Sequence, residues 1–210
     1  MDNLSYIAFI CLTVSIGLML PLMEKKTRRV MSFVLVGIFA CLFISEFNGI
    51  LLRHFNNDSF YVTTTITPIT EEIVKALPIL YFAIVISDDR RTLISNAYAV
   101  GVGFAVLENM VILTQNIENV TVLWALVRGF GSGLVHGICT VMVGFGISYI
   151  KKRRKLFYCG TFALLSAAVI YHAIYNVLVQ SDYQYAGVLL PIITYIPVVL
   201  LTRSKMKNNA

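Results

Sequence analysis

Charge is what this sequence has least of. Charged residues fill 13% of its 210 positions, where a soluble domain carries roughly a quarter. A fully solvated globular surface is thereby excluded. With 58% hydrophobic residues, the chain has the composition of a multi-span helical membrane protein. The four cysteines, Cys11, Cys41, Cys139 and Cys159, lack metal-type spacing and read as small buried hydrophobes. No internal repeat or low-complexity segment is present, and the connections between apolar runs are short. No separate soluble domain has room to form, so residues 1–210 read as one integral-membrane domain. A basic stretch before the first apolar run is missing too: Met1-Asp2-Asn3 precedes it and the basic cluster follows. That order predicts a stop-transfer span with its N-terminus outside, not a cleaved signal.

The positive charge that is present follows topology. Fourteen of the 17 Lys and Arg fall at positions 25–29, 90–91, 151–155 and 203–207. These are every second connection, as expected of cytoplasmic loops. The net charge of +6 is therefore no footprint of nucleic acid, and the expected surroundings are the lipid bilayer. The fold class is all-α: a polytopic membrane helical bundle of about seven transmembrane helices, N-terminus outside and C-terminus cytoplasmic. The expected spans are 4–23, 31–52, 66–87, 93–114, 122–150, 156–179 and 185–202. Thr67 before Pro68 predicts an N-cap with proline at the first helical position, approached by an interfacial or re-entrant stretch over 60–65. Pro78 predicts a kink in the same span. The run Gly129-Phe130-Gly131-Ser132-Gly133 predicts a break or tilted start in the fifth span. Gly129, Gly133 and Gly137 form a stripe that permits close helix contact.

Six ionisable residues stand out against this background. Glu46, Glu71, Glu72, Glu108, His136 and His172 each lie 15 to 17 positions from the nearest cytoplasmic charge. At ~1.5 Å per residue that is roughly 22–26 Å, the outer half of a hydrocarbon layer about 30 Å thick. Such groups are expensive in lipid and are kept for function. A polar packing layer without chemistry is the plainer alternative, but unrelated polar residues would scatter in depth.

The motifs on these spans suit hydrolysis. Lys75 is four residues from Glu71 and three from Glu72, so it lies beside either carboxylate. Adjacent buried carboxylates titrate as a pair, and a lysine beside them distinguishes one from the other, as a general base requires. Gly101, Phe104 and Glu108 share a helix face, with Asn109 next to Glu108. His172 and Asn176, four apart, share another. Two histidines at the depth of the glutamates can bind a metal, polarise a carbonyl or orient an attacking water. Asn176 can support an oxyanion or fix a histidine tautomer.

Glu71-Glu72-x-x-Lys75, Phe104-x-x-x-Glu108-Asn109, His136 and His172-x-x-x-Asn176, in this order on successive spans, resemble the PrsW family of bacterial intramembrane proteases. That family is similar to the wider group of CAAX prenyl proteases and bacteriocin-processing relatives. The resemblance covers about residues 67–176. The wider group usually has arginine where Lys75 stands and histidine where Glu108 stands, so both departures point toward PrsW and away from prenyl-protein processing. The resemblance implies peptide-bond hydrolysis by a glutamate-activated water. It also implies a single-span membrane substrate, cut near the outer face of the bacterial plasma membrane. For such proteins this is site-1 cleavage of an anti-sigma factor, a stress-response step.

The expected site opens outward between the third to sixth spans. Its catalytic members are Glu71, Glu72, Lys75, Glu108, His136, His172 and Asn176. Glu71 or Glu72 is the base, and Asn109 is a further supporting donor. No motif covers Glu46. His136 and His172, with Glu108 as third ligand, would hold a divalent metal such as zinc; a metal-free route stays open. The competing classes are an ion-coupled transporter, which also uses intramembrane glutamates and histidines, and a non-catalytic membrane adaptor.

Overall fold

The computed structural model describes residues 3–118 and 120–207, with side chains described over 6–118 and 120–196. Met1, Asp2 and the side chains of Asn3, Arg203, Lys205 and Lys207, used above for orientation, lie outside the described residues. The described elements are all helical: α1 (Asn3–Met19), α2 (Lys25–His54), α3 (Ser59–Tyr61), α4 (Thr67–Val85), α5 (Arg90–Gln115), α6 (Val122–Ile147), α7 (Thr161–Val179) and α8 (Gln184–Lys207). A wide π turn at Val62–Ile66 joins α3 to α4, and another at Leu156–Gly160 leads into α7. The boundaries follow from capping. The Asp58 carboxylate accepts from the Tyr61 N–H, that of Asp89 from Thr92, and the Thr121 hydroxyl from Trp124, each satisfying an orphan donor of a first turn. The bond from Thr92 holds the Asp89 carboxyl below the usual carboxylate range. Asn56 and Asn57 turn the chain at φ 54° and 61°, a region asparagine tolerates better than most residues.

The bundle is organised around α5, with α2 packed on one side and α6 on the other. Ile38 and Ile44 of α2 meet Phe104 and Leu107 of α5 in one apolar cluster. Ile79, Leu93, Val100, Val135, Val143 and Ala168 join α4, α5, α6 and α7 in a second. The crossing of α2 and α5 is close enough to demand glycine. A Cβ at Gly37 would collide with the Val100 carbonyl, and one at Gly103 with that of Val34.

Burial is inverted relative to a water-soluble bundle. Glu72 and Lys75 are 0% exposed, while Phe39, Phe43, Leu77, Phe130, Phe162 and Ile170 all point outward and are more than half exposed. Apolar outside and ionisable inside is the arrangement lipid imposes. Among the described residues, four helices are long and apolar enough to cross a membrane: Lys25–His54, Arg90–Gln115, Val122–Ile147 and Leu156–Val179. Tyr6–Leu22 and Gln184–Ile196 are shorter apolar helices. The span containing α4 is not among the four, and it carries three charged residues within two turns.

Three expectations are corrected. The glycine run does not break the fifth span, because α6 is continuous from Val122 to Ile147. Nor do Gly129 and Gly133 mediate close packing: a Cβ at either would meet open space, and of the stripe only Gly137 has a neighbour, the Tyr98 ring. Thr67 begins α4 but is not its cap. Its backbone is already helical, and its N–H bonds the Val62 carbonyl across the π turn. Residues 59–66 therefore continue the helix, and the backbone donors at this point already have partners.

Candidate active site

Four helices converge on the buried ionisable residues. α4 carries Glu71, Glu72 and Lys75 on its buried face, α5 brings Glu108, α6 brings His136 and α7 brings His172. Gly101 of α5 lets α6 come this close, since a Cβ there would collide with the His136 carbonyl. The helix ahead of α4 is anchored by the π turn. Thr63 and Thr64 return their hydroxyls to the carbonyls of Ser59 and Phe60. The Thr63 carbonyl accepts from Asn176 Nδ2 at 2.9 Å, which ties α7 to the entrance of α4.

Hydrogen bonds fix each group. Glu72 Oε1 accepts from Lys75 Nζ at 2.6 Å and from His172 Nδ1 at 2.9 Å. Glu108 Oε2 accepts from His136 Nε2 at 3.1 Å and from the Ser132 hydroxyl at 2.9 Å. Each histidine thus commits one ring nitrogen to a carboxylate and turns the other inward. Glu71 Oε2 lies 3.8 Å from His136 Nδ1 and 3.8 Å from His172 Nε2. The two rings are edge to face at 4.8 Å between centroids. Lys75 Nζ also contacts His136 Nδ1 at 2.8 Å and sits 4.6 Å above the Phe104 ring.

Two carboxylate oxygens remain without a hydrogen-bond partner although buried: Glu71 Oε2 and Glu72 Oε2. An orphaned buried carboxylate oxygen costs free energy, so these two mark where chemistry or a cation is accommodated. Glu71, His136 and His172 each offer a ligand atom, all within 4.8 Å of one another. Ligands of one tetrahedral zinc lie about 3.4 Å apart, given bonds of about 2.1 Å, so the two 3.8 Å separations close by about 0.4 Å on binding and the histidine pair, within 4.8 Å, by up to about 1.4 Å. The carboxylates behind both histidines are the partners that ligating imidazoles use to fix tautomer and orientation. Lys75 is the group that must turn from His136 Nδ1 for that nitrogen to serve.

Of the residues singled out from the sequence, Glu71, Glu72, Lys75, Glu108, His136 and His172 come together. The third acid that meets both histidines is Glu71. Glu108, expected in that position, reaches His136 from the opposite edge of the ring. Asn176 faces the Thr63 carbonyl and acts as a tether. Asn109 has a buried, unpartnered Oδ1 and no bond to the cluster among the described residues. Glu46 does not join the cluster, because it accepts from the Tyr6 hydroxyl between α1 and α2.

Two neighbours were overlooked: Ser132, and Arg128, whose Nη2 is 3.6 Å from Glu108 Oε2. Arg128, Ser132 and His136 recur every four residues on one face of α6, a signal available in the sequence.

A family model described as PrsW family intramembrane metalloprotease matches residues 11–202. Protease PrsW of Clostridioides difficile (strain 630) is 25% identical over 175 residues, covering 77% of this chain and 71% of that protein. No solved structure matches the chain.

Proposed function

The chain belongs to the PrsW family of intramembrane metalloproteases, and from that premise we propose that it hydrolyses a peptide bond of a single-span membrane protein in the bacterial plasma membrane. One observation carries this reading: both histidines are backed by carboxylates, and their other nitrogens lie 3.8 Å from the unpartnered Glu71 Oε2, that of His136 also holding Lys75 Nζ at 2.8 Å. That donor set suits a divalent metal such as zinc, held by Glu71, His136 and His172. When bound, such an ion supplies Lewis-acid polarisation of the scissile carbonyl or of water.

The remaining roles fall to this chain's own groups. Glu72 is clamped through Oε1 by Lys75 and His172, so Oε2 is aimed and unencumbered. In this reading it takes the proton of the attacking water and returns it to the leaving amine. Lys75 holds the Glu72 carboxylate in place and stands near the developing oxyanion. Glu108, fixed by Ser132, holds the His136 ring. Burial of the cluster excludes bulk water and strengthens each of these interactions. Unlike the broken helices of many carriers, α4 and α6 run unbroken past the site.

The seven-span arrangement with an outward-opening site is part of the proposal, as is site-1 cleavage of an anti-sigma factor. Given that arrangement, the depth count supports a first cut near the outer face. The direct test offers a single-span candidate anti-sigma factor to the purified chain in liposomes and scores cleavage with bound zinc. Cleavage is expected with about one zinc per chain, and chelation should abolish it. Cleavage that persists after Glu71→Gln and Glu72→Gln together would sink the mechanism. Orientation has its own check: a cysteine placed within 56–59 should label from outside intact cells, and labelling only after permeabilisation would invert the topology.

A further inference from the structure

At one end of the bundle, α6, α7 and α8 leave a cleft of about 420 Å³, a volume within the range of small ligand pockets. Its walls include Trp124, Tyr175, Val179, Tyr185 and Val188, and Arg128 also lines it. The cleft borders the cluster just described. Arg128 Nη2 is 3.6 Å from Glu108 Oε2, which is itself 3.1 Å from His136 Nε2. Tyr175 follows His172 by three positions on the same helix.

Arg128 is under-committed. A guanidinium has five N–H donors, yet this one makes no hydrogen bond among the described residues, and its Nε is buried without a partner. Glu108 pairs with its charge at 3.6 Å but accepts no hydrogen bond from it, since Oε2 already accepts from His136 and Ser132. The Trp124 ring, 6.0 Å from the guanidinium carbon, supplies a face but no acceptor. A charged, unsaturated donor set beside a hydrolytic centre asks for an anionic acceptor that arrives with the substrate.

We propose that this cleft docks an unwound stretch of the substrate chain and that Arg128 reads an acidic side chain on it. The two contacts from Arg128 through Glu108 to His136 span roughly two extended residues at ~3.3 Å each. The acid therefore sits within a few residues of the bond to be cut. Arg128 is in this sense a specificity residue. The inference rests on the hydrolytic reading above, but its test does not require bond cleavage.

Trp124 is the only tryptophan in the chain and lines the cleft, so its emission reports occupancy. The full chain in phosphatidylcholine nanodiscs would be titrated with three capped leucine–alanine hexapeptides that differ in one central residue: glutamate, glutamine or lysine. The glutamate peptide is expected to half-saturate the Trp124 change at a concentration at least about tenfold below the glutamine peptide, with the lysine peptide weakest. Arg128→Gln should bring the glutamate and glutamine peptides together. Equal half-saturation on the unaltered chain, or no Trp124 response to any peptide, overturns the inference, and neither outcome depends on whether the variant assembles. Exchanging a third of the lipid for phosphatidylglycerol tests the other anion source. An emission change without peptide that also removes the glutamate preference would assign the cleft to a lipid headgroup and overturn the proposal. A chain that discriminates among the peptides yet cleaves nothing would overturn only the hydrolytic reading. One that cleaves without discriminating would overturn only this inference.

Discussion

Replacing Glu72 with glutamine is expected to lower the rate of peptide hydrolysis by roughly 10²–10⁴-fold, the usual contribution of a positioned general base, while bound zinc stays near one per chain. Glutamine keeps an oxygen for Lys75 and His172 but has no carboxylate oxygen to take the proton of water. Glu71→Gln is expected to behave differently and lose metal and activity together, because Glu71 is the acid that shares a point with both histidines. Elemental analysis beside a single-turnover cleavage assay separates the two variants. If Glu72→Gln keeps its rate within about tenfold while Glu71→Gln retains zinc, the roles given to the two carboxylates are reversed or wrong.

The second large effect is on stability. Lys75 is wholly buried, 2.6 Å from Glu72 and 3.7 Å from Glu71. Truncating one partner of such a pair leaves the other charge uncompensated, at a cost of about 3–5 kcal/mol. Lys75→Met is therefore expected to destabilise the folded chain by that amount. Joining it to Glu72→Leu should recover a large part of the loss, since removing both charges of a buried pair is often close to neutral. Unfolding in mixed micelles, run as a double-mutant cycle, measures the coupling. A Lys75→Met chain as stable as the original would show that the pair contributes nothing to holding α4 in the bundle. The same variant frees His136 Nδ1, so added zinc should raise its stability more than that of the unaltered chain.

Much of the site was legible because lipid makes ionisable groups conspicuous. Glu71, Glu72, Lys75, Glu108, His136 and His172 could be aligned in depth by counting residues from the basic loops, and in the structure they meet. What depth cannot supply is azimuth. Glu46 lies at the same level but on a face of α2 turned toward Tyr6 of α1. The acid set against both inward-facing nitrogens depended on which edge of the His136 ring Glu108 approaches, a matter of side-chain direction that spacing does not encode. Arg128 and Ser132 were missed for another reason. The neighbouring glycines at 129, 133 and 137 mark an adjacent face with the same four-residue interval that 128, 132 and 136 carry. The π turn was hidden because Val-Thr-Thr-Thr-Ile has the β-branched character of a poor helix former. Its hydroxyls bond back to helix carbonyls, and Asn176, far away in sequence, takes up the Thr63 carbonyl.

That wide turn also gives the chain slack in length. A π turn accommodates one residue more than an α turn, so the Val62–Ile66 segment holds a spare position just ahead of the carboxylates. Deleting one of its threonines can be absorbed by reversion to α-helical pairing. Because the residue removed is the one the wide turn carries, α3 and α4 keep their relative phase, and Glu71 and Glu72 keep their aim. Insertions and deletions in the connection between α2 and α4 can thus be tolerated without disturbing the chemistry, leaving that connection free to diverge.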